Sequence, residues 1–164
     1  MTSTHVHLLL NHFPIVCILI GTILLITAYA TKNEIIRKVS LATIFGMAIL
    51  AIPVFFTGEP AEETVEKLPG VLESIIKEHE EAAEIAFWVM MATGAAAFMS
   101  YIFLMLQHKI AKTSVALVLL LSITTSVLMV RAGYLGGQIR HTEIQANTVA
   151  GQAIEKGGEQ EDED

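Results

Sequence analysis

The stretch AAEIAFWVMMATGAAAFMSYIFLML, residues 82–106, carries one charge, Glu84 near its start. A helix needs about 20 apolar residues to cross a hydrocarbon core of about 30 Å, and this run is long enough. Three further runs, Leu8 to Ala30, Val39 to Thr57 and Val115 to Val130, carry no Asp, Glu, Lys or Arg at all. A soluble protein would have to bury four helices that are apolar on every side, a pattern that belongs in lipid. The overall composition, 53% hydrophobic, is close to that of a soluble domain, so the clustering of those residues decides the class. The expected fold is all-α: an integral membrane four-helix bundle with spans at about 8–30, 39–57, 82–106 and 115–134 inside a domain covering 1–146.

The first run is expected to be a retained helix, not a secretory signal. Its start, Met1 to His7, lacks Lys and Arg, its apolar core is long, and no small-residue cleavage pattern follows Ala30. The one cysteine, Cys17, lies inside it, which excludes an intrachain disulfide and a cysteine-based metal motif.

Charge predicts the orientation. The two short loops carry Lys32, Arg37 and Lys38, and Lys109 and Lys112, against a single acidic residue, Glu34. The other five basic residues are spread over much longer segments, so basic density puts the short loops in the cytoplasm. Both termini then lie on the outer side of a bacterial inner membrane. The formal net charge of -7 falls almost wholly on that side and argues against nucleic acid as a partner, since phosphate binding wants a basic stripe. Residues 147–164 read as an acidic, disordered tail.

Three segments bring polar residues to the outer side. In the first, His12-Phe13-Pro14, the proline has no N–H for the carbonyl of Leu10, so the helix should kink or start anew there. His12, about two turns inside the span, is expected to face the bundle, as costly intramembrane ionisable groups do. His7 stands five residues earlier, about 140° away on an ideal helix. In the second segment, Gly58-Glu59-Pro60-Ala61-Glu62 suggests a short helical turn followed by a bend. Beyond Gly70, Val71, Leu72, Ile75, Ile76 and His79 share one face of an outer amphipathic helix that runs into the third span, with Ala82, Ala83 and Ala86 beneath His79. Third, Gly136-Gly137 is expected to end the last helix and fold Arg140 and His141 back across the bundle. Of the six histidines only His108 falls on the cytoplasmic side.

These residues resemble a family. His7-Leu8-Leu9-Leu10-Asn11-His12-Phe13-Pro14, Gly58-Glu59-Pro60-Ala61-Glu62 with His79-Glu80, and Gly136-Gly137-Gln138-Ile139-Arg140-His141 look like the bacterial membrane proteins grouped as domain of unknown function 2231. The likeness runs from about His7 to about Ile144. Members typically open with His-Pro and a second histidine five residues after the first, followed by Phe-Pro; here Leu8 replaces the first proline. The resemblance implies a small cytochrome b-like bundle and redox work.

Three functions fit the residues. A b-type haem near the outer face would use His12 and His79 as its ligand pair, with His141 in a supporting role, His7 as a further candidate, and Arg131 and Arg140 near its propionates. Electrons would then pass to a periplasmic cytochrome or quinone, and no second site lies in the cytoplasmic half for conduction across the bilayer. Zinc or copper would use His12, His79 and His141 with Glu59, Glu62, Glu80 or Glu84. A cofactor-free scaffold, as a homo-oligomer or a subunit of a larger membrane complex, would use Gly94-Ala95-Ala96-Ala97 for helix packing. No nucleophile elbow, phosphate-binding glycine loop or HExxH motif is present, so hydrolase and kinase chemistry have no support.

Overall fold

The computed structural model describes residues 3–66 and 73–140. They form six helices: α1 (Ser3–Leu10), α2 (His12–Thr31), α3 (Glu34–Phe56), α4 (Gly58–Val65), α5 (Glu73–Met105) and α6 (Ala111–Arg140). Four stretches, His5–Thr31, Glu34–Phe56, Glu73–Met105 and Ala111–Ile139, are long and apolar enough to span a membrane, as the clustering predicts. The long helices pack in a closed ring, α2 on α3, α3 on α5, α5 on α6 and α6 back on α2. Both described ends and α4 therefore lie at one end of the bundle, here the terminal end, and the short connections at the other, the loop end.

Local chemistry sets the boundaries. Asn33 caps α3 by accepting from the amides of Ile35 at 2.9 Å and Ile36 at 3.1 Å. Lys32 and Gln107 take positive φ at the two loop-end turns. The helical bonding is interrupted at Asn11, three residues before Pro14, because the missing proline N–H leaves the carbonyl of Leu10 without its helical donor, while Asn11 keeps helical φ and ψ and its own N–H bonds the carbonyl of His7 at 2.8 Å. Residues 73–105 form one helix, so the segment that carries His79 runs unbroken into the third span. The bend expected before it, with Val71 and Leu72, lies outside the described residues, as do His141 and the acidic tail.

One boundary differs from expectation. Gly136 and Gly137 do not end α6, which continues to Arg140. A helical glycine costs about 1 kcal/mol relative to alanine, and tertiary packing outweighs that here, as the next section describes.

Inside the ring, small residues bring the backbones together. A Cβ on Gly94 would collide with the Cβ of Ala48, and one on Gly21 would lie 2.9 Å from Ile44. Buried hydroxyls join helices: Thr93 to Thr125 at 2.8 Å, Thr22 to Ser126 at 3.1 Å, and Ser40 to the carbonyl of Gly21 at 2.7 Å. Outside, Ile23, Trp88, Leu120 and Val127 are exposed, an apolar belt suited to lipid.

A two-histidine site at the terminal end

The last four carbonyls of a helix have no partner within it. In α3 one of these is Val54, and the ring of His7 meets it, with Nδ1 at 3.0 Å. The Thr57 hydroxyl lies 3.1 Å from the same carbonyl and 2.8 Å from that of Pro53, its shorter acceptor. Gly58, the first residue of α4, lies alongside the imidazole; a Cβ there would be 3.6 Å from Cε1 of His7. His7 thus ties α1 to the α3–α4 corner.

His79 is held differently. Its Nδ1 lies 3.0 Å from the carbonyl of Ala132, in the middle of α6. That carbonyl is already the helical acceptor for residue 136, and a side chain at 136 would lean back over it. Residue 136 is glycine, so the carbonyl is open to a second donor. The His79 ring fills the space: a Cβ on Gly136 would be 3.0 Å from its Cε1 and 3.3 Å from its Nδ1. Beneath it, Ala82 and Ala86 are buried, as the periodicity predicts, and they let α6 come close to α5.

Both rings lie at the terminal end of the bundle, His7 on α1 and His79 on the first turns of α5. Both share one protonation pattern. A carbonyl only accepts, so each Nδ1 carries the hydrogen, and in the neutral ring Nε2 carries the lone pair. A backbone carbonyl behind Nδ1 is how proteins orient a histidine that ligates metal through its other nitrogen.

The other expected site residues are placed as follows. His12 is exposed on the flank of α2 and does not face the bundle interior. The break at Asn11 does not turn both histidines inward, and of the pair it is His7 that reaches the packed corner. Arg131 is exposed on α6, Arg140 is its last residue, and His141 lies outside the described residues. Glu59, Glu80 and Glu84 are exposed, while Glu62 is half-buried on α4. Burial, reinforced by Glu80, Glu66 and Glu59, pushes the Glu62 carboxyl up to about 7. Among the described residues no three His, Cys, Asp or Glu side chains come together as a metal cage. His108 is exposed at the loop end, beside Phe103.

The family profile described as "Predicted membrane protein (DUF2231)" matches residues 4–144. The chain belongs to this family. Its match takes in both histidines, Gly58 and Gly136, so the site is built wholly from the family's segment. No curated protein and no solved structure matches the chain.

Sequence reasoning missed the partners of the site: the carbonyls of Val54 and Ala132, and Gly136 as the residue that makes room for the His79 ring. The available signal was a glycine within an otherwise apolar helix, which marks either a terminus or a close approach.

Proposed function

We propose that this membrane protein holds a b-type haem at its terminal end, with His79 and His7 as ligands through Nε2. The observation that carries the reading is the matched anchoring of two rings on separate helices, each with Nδ1 committed to a backbone carbonyl. Haem takes one or two imidazoles, whereas a zinc centre takes three or four protein ligands. Two histidines anchored in the same way, with no group of three or more His, Cys, Asp or Glu among the described residues, favour the former. Zinc or copper would have to recruit a ligand from outside them, such as His141.

The chain's own part is to hold both imidazoles neutral and aimed. When bound, haem supplies one-electron chemistry. The Ala132 and Val54 carbonyls fix tautomer and direction, and Gly136 admits the His79 ring. With the basic short loops in the cytoplasm of a bacterium, the site faces outward and exchanges electrons with a periplasmic cytochrome or a quinone.

The test is an absorption spectrum with iron, zinc and copper analysis on protein purified from haem-sufficient cells. A Soret band with stoichiometric iron supports the proposal. Zinc or copper without a Soret band selects the other metal reading, and no metal at all selects a scaffold role.

A further inference from the structure

The short helix α4 closes the terminal end by packing on α1 and on the end of α3. Gly58, Ala61 and Glu62 share one face of it, at spacings of three and four residues. On that face Gly58 lies beside the His7 ring, Ala61 is buried and Glu62 is half-buried, while Glu59, Glu63 and Glu66 are exposed. Among the residues of α4 whose burial is described, Ala61 is the one buried apolar side chain. A segment held by so little buried surface opens well before the whole fold does, so a single charge can decide whether it stays docked.

Among the described residues no lysine or arginine pairs with Glu62. α4 itself has neither, the last turn of α3, Pro53 to Phe56, has no ionisable residue, and α1 brings His5 and His7, the latter with Nδ1 committed to the carbonyl of Val54. From α5 it is Glu80 that acts on Glu62, alongside Glu66 and Glu59. Lys77 of α5 is taken by Glu73 at 2.7 Å. A half-buried carboxylate among like charges is costly to ionise, whereas a protonated carboxyl is not. Undocking returns the carboxylate to water, so ionisation and docking oppose one another.

We propose that α4 is a pH-operated lid on the two-histidine end, docked on α1 while Glu62 carries a proton and released when Glu62 ionises. The folded value of about 7, against an ordinary 4.5, puts the transition near neutral pH. The docked form keeps a proton that the undocked form loses, so docking is strongest at acid pH and weakens as pH rises through about 7. Release uncovers the side of His7 that Gly58 lies against, whereas His79, held between α5 and α6, keeps its place. The inference rests on the packing of α4 and holds whether or not the histidines carry a haem.

The test is hydrogen–deuterium exchange of the full chain in detergent at about pH 6 and about pH 8, read on peptides from α4 and corrected for the pH dependence of intrinsic exchange. Values of 4.5 undocked and about 7 docked predict about a tenfold loss of α4 protection over this range, with protection inside α6 unchanged. Glu62→Gln, which keeps the shape of the protonated carboxyl, should hold α4 protected at both pH values. Glu80→Gln, which removes one like charge, should shrink the loss. A wild-type α4 equally protected at both pH values overturns the proposal. So does an equal loss in Glu62→Gln, or a loss shared by α6, which would mean that the whole fold loosens.

Discussion

The imidazole of His79 lies against the α-carbon of Gly136, and its Nδ1 reaches past that glycine to the carbonyl of Ala132 at 3.0 Å. One residue without a side chain thereby links α5 to α6 and fixes which nitrogen of the ring is left free. The relationship makes Gly136 a positioning residue for the site.

Gly136→Ala should accordingly destabilise the protein. Alanine gains about 1 kcal/mol in helix propensity over glycine, but a Cβ 3.0 Å from Cε1 forces the ring away. Overpacking costs about 1–3 kcal/mol, so the expected sum is a net loss that a melt in detergent reads directly. Gly137→Ala is the control, because nothing lies within 4 Å of its would-be Cβ; it should be neutral or stabilising.

The α3–α5 contact is tight at Gly94, whose would-be Cβ would collide with that of Ala48. Gly94→Ala should lower the melting temperature, and Ala48→Gly in the same chain should restore part of the loss by reopening the space. Failure of the second substitution to rescue would mean that the helices separate elsewhere.

Glu62 predicts a pH dependence. Its folded value of about 7 lies above the ordinary 4.5, so the folded protein binds a proton in that window that the unfolded chain does not. Stability from this group is complete below 4.5 and is lost as pH rises through about 7. The Glu62 contribution should therefore fall between about pH 5 and about pH 8, read as a melting-temperature difference between wild type and Glu62→Gln that changes across that range. A profile for Glu62→Gln that superimposes on the wild type would refute the assignment.

The spans were legible because lipid demands apolar residues all round a helix, and four such runs leave few alternatives. His79 was legible too, since Ile75, Ile76 and His79 followed by Ala82 and Ala86 mark one helical face. The roles of His7 and His12 were not. They lie about 140° apart on an ideal helix, and which of them turns inward depends on the break at Asn11 and on the corner where α3 meets α4. Gly136 was misread for a related reason. A glycine pair near a helix end is usually a terminator, and only the ring arriving from α5 makes it a packing surface.

The most direct test of the two-histidine site is the Soret absorbance per protein for the wild type, His7→Ala, His79→Ala and His12→Ala, each checked for membrane insertion. The account predicts a band in the wild type that persists in His12→Ala, because that side chain is exposed, and disappears in His79→Ala and His7→Ala. An undiminished band in the His7→Ala, His79→Ala double variant, or none in wild-type protein from haem-sufficient cells, would contradict it.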